Sequence, residues 1–233
     1  MDTPYFNTFL YSTVSLHPSQ MTNDIYIHLK NNLIRKLVGK CYKSYGYISK
    51  IYKIEERSTG KLIAEDPTAS ASYDIKFSCK LCRPLKNTVI VCEVIQINKS
   101  LIYLRNGPIH VFIFEGSDNI NKTNFVYDER RNVLLAVIGN GKGIPVVIGT
   151  YIKIKVDDCR IENGSNKIIV LGILESLATK NDIDDSLLIR ENDNIPFVEY
   201  DEYLTKESEH NNTSSNINED DTTHDDNDDE TDT

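Results

Sequence analysis

Nothing in this chain points into or across a membrane. Its 233 residues hold no run of about eighteen consecutive apolar residues, so no helical span is expected. No basic region followed by an apolar core opens the sequence, so no secretory signal is expected. The Asn-x-Ser/Thr matches at Asn98, Asn121, Asn163, Asn211 and Asn212 then read as chance in an Asn-rich chain, and an intracellular protein is expected. Five cysteines, an odd number, make no secreted disulfide framework. Cys79 and Cys82 form a CxxC, but on a strand positions i and i+3 point to opposite faces, so the pair cannot share a metal. No second CxxC or His pair completes a site, and neither metal nor cofactor is expected.

Catalytic constellations are missing as well. His17 precedes Pro18 and reads as a cap or core residue, His28 falls on a helix and His110 on a strand. No Ser or Cys stands in a nucleophile motif. Gly139-Asn140-Gly141-Lys142-Gly143 lacks the Gly-Lys-Ser/Thr ending of a phosphate loop and reads as a hairpin tip. Carboxylates crowd the C-terminal end, where a disordered segment cannot preorganise them for acid–base work. An enzyme in its own right is therefore not expected.

What the chain does have is a divided charge. Residues 181–233 carry 19 Asp/Glu against two basic residues, −17, which leaves the rest at +8 within an overall −9. A basic body suits a polyanion, because Lys and Arg displace condensed counterions. The tail serves solubility or competes for the basic surface. Residues 183–204 keep a few apolar side chains, notably Leu187, Leu188, Phe197, Tyr200 and Tyr203. Residues 207–233 have Ile217 as their one aliphatic residue and no aromatic, so they are expected to be disordered.

The body reads as two β-containing units. Residues 5–16 form an opening strand ended by Pro18. Residues 23–38 form a helix on Ile25, Leu29, Leu33 and Leu37, capped by Thr22, Asn23 or Asp24 and stopped by Gly39. An alternating strand covers 41–54, broken at Gly46. From Tyr73, apolar Ile75, Phe77, Cys79 and Leu81 alternate with Asp74, Lys76, Ser78, Lys80 and Cys82, which predicts one apolar and one wet face. Pro84 then interrupts the sheet. Beyond it come strands at 88–97, 101–105, 109–114, 132–138, 151–161 and 167–174, with Asn106-Gly107-Pro108 as a turn. Short strands with such turns suit a five-stranded OB barrel.

Several of these motifs, in this order, resemble the stalk subunit of multi-subunit DNA-directed RNA polymerases, the family of the eukaryotic subunit seven and its archaeal counterpart. They are Leu16-His17-Pro18, Gly39-Lys40-Cys41, Tyr45-Gly46-Tyr47-Ile48 and the glycine-to-aspartate segment 60–66. Arg83-Pro84-Leu85-Lys86, Gly107-Pro108 and the glycine-bearing last strand 168–174 complete the set. The resemblance covers roughly residues 6–178. Pro67 stands where the family usually has Gly, and Cys92 and Leu101 replace common barrel glycines. The wealth of Asn, Ile, Lys and Tyr suits an AT-rich genome, such as that of a large DNA virus or a protist.

The resemblance implies an α+β, RNP-like polymerase-docking tip domain (residues 1–85). An all-β S1/OB-fold barrel (86–180) follows, with an insertion at about 115–149, and then the acidic tail (181–233), disordered at least from 207. It further implies a non-catalytic subunit that docks on the polymerase core, binds a subunit-four-like stalk partner and touches nascent RNA. Location would be the nucleus if cellular, or the viral factory or virion if viral. The docking residues would be Tyr45, Gly46 and Tyr47, with Asp66 of the 60–66 segment. Contact with single-stranded RNA is expected at Tyr103, Arg105, His110, Phe112, Lys153 and Lys155, by stacking plus charge. Phe114 is expected to fill the core. The rival reading is a free-standing S1/OB single-stranded RNA-binding or translation-type protein, which explains the barrel but not the tip motifs.

Overall fold

This computed structural model describes residues 3–62, 64, 66–98, 100–114, 124–128, 133–138, 142–195 and 197–201. The expected disorder from 207, Tyr203, and the Gly139–Gly141 stretch of the hairpin tip lie outside these residues.

Strand β1 (Tyr5–Leu16) and helix α1 (Ile25–Leu37) lead into β2 (Cys41–Tyr42), β3 (Gly46–Arg57), β4 (Lys61–Leu62) and β5 (Ala71–Cys82). They form an antiparallel sheet in the order β1-β5-β3-β2, with β4 pairing β5. The four-residue apolar recurrence on α1 buries Leu29, Leu33 and Leu37 against Ile48, Ile75, Phe77, Cys79 and Leu81. Lys30 and Lys36 reach over to the carbonyls of Tyr52 (2.7 Å) and Thr13 (2.6 Å), fixing the helix across β3 and β1. His17 is a cap: its Nδ1 accepts from Ser19 N–H in a 3-10 turn at Pro18–Gln20. Gly39 (φ +81°) ends α1, a left-handed position that suits Gly.

The second sheet closes on itself. Strands β6 (Val89–Ile97), β7 (Leu101–Asn106) and β8 (Ile109–Phe114) form a meander. An insertion follows with β9 (Phe125–Asp128), β10 (Val133–Ile138) and β11 (Lys142–Pro145). Strands β12 (Tyr151–Arg160) and β13 (Ile168–Leu177) complete the barrel in the order β12-β13-β8-β7-β6. β13 runs parallel to β8 and the other barrel pairs are antiparallel. The stretch 132–138, expected as a strand within the insertion, supplies the middle strand of a separate three-stranded sheet. Its Leu134 and Ala136, with Phe125 and Val146, are buried in the barrel's cluster, so alternation alone could not say which sheet they joined.

The chain then does what its charge hid. Residues 180–191 form helix α2 (Lys180–Glu191), opened by a reciprocal cap between Thr179 and Asp182. Residues 192–195 and 197–201 lie beside β1, parallel to it at Phe197, with Val198 N–H donating to Asn7 O (2.8 Å). This segment corrects the reading of β5. Asp74 and Lys76 remain on the wet face, but Ser78, Lys80 and Cys82 are buried. Lys80 is 2% exposed, and its ammonium donates to the carbonyls of Ile189 (3.2 Å), Arg190 (2.8 Å) and Asn192 (2.6 Å). The C-terminal end of α2 thus receives a cation, which both the unpaired carbonyls and the helix dipole favour. Burial pushes the Lys80 pKa down from the ordinary lysine value.

Candidate nucleic-acid interface

Pleating decides which barrel side chains face out. Ile102, Leu104, Ile109, Val111 and Ile113 point into the core. Tyr103, Arg105, His110 and Phe112 therefore share the outer face of β7 and β8, where Tyr103 lies opposite Phe112 and Arg105 opposite His110. Tyr103 stacks on Phe112 with centroids 5.2 Å apart at 20°. Its hydroxyl is 2.6 Å from His110 Nδ1. Burial, then Arg105 and Lys167 nearby, hold the His110 pKa below the ordinary histidine value, so the ring is neutral near pH 7. Phe114 does not fill the core: it is 51% exposed on this same outer face, as period two requires of a residue in phase with His110 and Phe112.

Lys153 and Lys155 do not join this face. They project outward from β12, which β6 separates from β7 on one side and β13 separates from β8 on the other. Lys153 pairs with Asp182 of α2 at 2.8 Å. That ammonium, with the Thr179 hydroxyl and N–H, holds the Asp182 carboxyl down at about 2.

The tip residues separate likewise. Tyr45 stacks on Tyr42 (5.9 Å) and meets Tyr200 edge-on (4.8 Å), and Arg83 lies over the Tyr200 ring. Tyr47 packs against the barrel core. Gly46 has φ +142°, and a Cβ there would stand 2.5 Å from Cys82 O, so this position admits only Gly. Cys41 bonds through both backbone groups to the β12–β13 loop at Ser165 and Gly164, and Lys43 N–H donates to Asn163 Oδ1. Asp66 accepts from Thr68 N–H (2.9 Å) and Oγ1 (2.6 Å) in a local turn. It lies beyond the far end of β3 from Tyr45, a separation of roughly 35 Å for twelve residues of strand.

Between the two sheets lies a cleft of about 600 Å³, lined by Tyr5, Tyr47, Arg105, Gly107, His110, Lys167 and Arg190, among others. Sequence reasoning missed Tyr5, Lys167 and Arg190, which no local motif unites. A signal for Arg190's helix existed: Thr179-Lys180-Asn181-Asp182 is a capping-box pattern leading into Ile183 and Leu187. Cys79 and Cys82 face the N-terminal core and the barrel core respectively, so the CxxC is split between two clusters. Among the described residues no helix is long and apolar enough to cross a membrane.

Comparison with known proteins fits this architecture. A family model described as the SHS2 domain found in the N terminus of Rpb7p/Rpc25p/MJ0397 matches residues 12–67. The chain is 30% identical over 194 residues to the putative DNA-directed RNA polymerase subunit L376 of Acanthamoeba polyphaga mimivirus, covering 79% of this chain and 91% of that protein. It is 29% identical over 110 residues to the DNA-directed RNA polymerase II subunit rpb7 of Schizosaccharomyces pombe, covering 47% of this chain and 64% of that protein. Against RPB7 of Glycine max it is 25% identical over 109 residues, 47% of this chain and 61% of that protein. The mimivirus match runs through most of the chain, where the two eukaryotic ones stop at about half. Two sheets joined by a basic-proline turn, together with these polymerase-subunit relatives, lead to one assignment: the chain belongs to the Rpb7-type family of DNA-directed RNA polymerase subunits, as a non-catalytic accessory subunit.

Proposed function

We propose that this subunit docks on its polymerase through the N-terminal sheet and presents the outer face of β7 and β8 to emerging single-stranded RNA. The observation that carries the RNA reading is the Tyr103–Phe112 stack flanked by His110 and Arg105. Ring faces accept bases of any sequence, and a cation beside them draws the backbone. Lys153 is excluded from this site because Asp182 already holds it. Lys155, on the same outward face of β12, is left out with it.

For docking, the structure favours the loop around Tyr45 over a four-residue site. Tyr47 is engaged by the barrel, Gly46 shapes the backbone, and Asp66 lies at the other end of the sheet. Core subunits are the partners this reading requires. A subunit-four-like partner is a further expectation of the family resemblance. The mimivirus relative and the AT-rich composition support a large-DNA-virus version acting at the site of viral transcription.

Affinity purification of the tagged full chain from its native cell, followed by mass spectrometry, tests the docking. Large polymerase subunits should co-purify, and Tyr45→Ser should reduce their recovery. Recovery of RNA without polymerase subunits would favour the free-standing alternative. Binding of a labelled single-stranded oligoribonucleotide, weakened by Tyr103→Ala with Phe112→Ala, tests the RNA face.

A further inference from the structure

The cleft between the sheets holds three cations with no acid to balance them. Arg105 comes from β7, Lys167 from the start of β13 and Arg190 from the last turn of α2, and all three are exposed. Among the described residues no carboxylate lies within ion-pair distance of any of them. Glu93 is across from Arg105 in the β6–β7 register, yet no ion pair forms. Arg105 Nε donates only to Gly107 O (3.2 Å). These cations come from separate elements, so the fold gathers like charges that repel one another at a cost a ligand would offset.

A second observation is independent of charge. Tyr5 is 2% exposed and lines the same cleft, and its hydroxyl lacks an oxygen or nitrogen partner, with the Cys82 thiol beside it. Buried hydroxyls are ordinarily paired. Burial raises its pKa above the tyrosine value, so it stays a donor. Gly107, at φ +57°, is the thinnest cover the chain could place over that buried hydroxyl: a Cβ there would sit 2.8 Å from Tyr5 Oη and 3.3 Å from Arg190 Cδ. A hydrogen-bond donor at the floor and cations at the rim are the complement of a phosphate.

We infer that this cleft holds backbone phosphate of the single-stranded RNA whose bases lie on Tyr103 and Phe112. Arg105 and His110 belong to both surfaces, so a strand leaving the aromatic face enters the cleft directly. The inference rests on the RNA-contact reading, but it assigns the charge to the seam between the sheets and to helix α2 rather than to the β12 lysines.

The test is a fluorescence-anisotropy titration of the full chain with labelled oligouridylate at several salt concentrations. Lys167→Gln with Arg190→Gln should lower the slope of log affinity against log salt by about 1.4, at roughly 0.7 per phosphate contact on a single strand. Lys167→Gln alone should give about half of that and guards against a change in α2. Tyr103→Ala with Phe112→Ala should weaken binding and leave the slope as it was. Tyr5→Phe should lower affinity several-fold with little change in thermal stability, because among the described residues that hydroxyl has no oxygen or nitrogen partner. An unchanged slope in both charge variants, beside weakened binding in the aromatic pair, overturns the cleft and spares the RNA face. Unchanged affinity in Tyr5→Phe removes the hydroxyl from the site. Absence of wild-type binding at low salt overturns the RNA reading and the cleft together.

Discussion

Two strand faces with the same sequence grammar end in opposite surroundings. On β5, Ser78 and Lys80 alternate with Phe77, Cys79 and Leu81. On β7, Tyr103 and Arg105 alternate with Ile102 and Leu104. The β5 pair is buried, at 0% and 2% exposure, under α2 and the segment after it, whereas Arg105 stays exposed and Tyr103 half-exposed. The difference lies in the cover. Lys80 finds three carbonyls at a helix end, which satisfies all three of its donors. Arg105 finds one, from its own turn. A cation fully matched within the chain is structural, and a cation left under-matched at a cleft is available to a ligand.

Removing each cation should break this comparison in opposite ways. Lys80→Ala strips the donor from three carbonyls at a buried helix end and should cost about 3 kcal/mol. The urea midpoint measures it, and a loss under roughly 1 kcal/mol would mean that water replaces the ammonium. Arg105→Ala should change stability by no more than about 0.5 kcal/mol, while reducing RNA affinity.

Next in size is the aromatic face. Tyr103→Ala with Phe112→Ala should weaken RNA binding by about tenfold to a hundredfold, from a stacking energy of about 1–3 kcal/mol per base. Equal affinity in the double variant would leave the exposed face without a role in RNA contact.

The cover over β5 can be loosened more gently. Phe197 stacks on Phe9 at 5.0 Å and meets Tyr52 at 6.4 Å, and the backbone beside it bridges Asn7. Phe197→Ala should cost about 1 kcal/mol. Hydrogen exchange at the Val198 amide should speed up while the amides of β5 stay protected. Loss of protection along β5 as well would show that the cover and the sheet open as one unit.

The smallest effect is a pH dependence at the other end of α2. The Asp182 carboxyl is held below its unfolded value, so its contribution is complete above pH of about 4 and is lost as pH falls toward about 2. Asp182→Asn should flatten that part of the stability profile. An identical acid profile in the variant would detach the Lys153 pair from the anchoring of α2.

Much of the fold was legible in the residues. The opening strand, the α1 helix with its Leu29–Leu33–Leu37 stripe, and the inward faces of all five barrel strands follow from periods of 3.6 and 2. So did the outward set of Tyr103, Arg105, His110 and Phe112, because pleating fixes the side on which a residue stands. Phe114 was misplaced by assuming that an aromatic prefers a core over its own strand phase. Periodicity could not say what covers a face, because it is a local property while cover comes from residues far along the chain, 29 positions away for Lys153 and more than a hundred for Lys80. Lys80 therefore read as wet and Lys153 as free. Net charge hid α2, since its acidic residues looked continuous with those of the tail. The sequence alone determined which strands form and which way each side chain points. Tertiary packing decided which polar faces close, and so which cations were left for a ligand, because charge compensation depends on neighbours brought together in space.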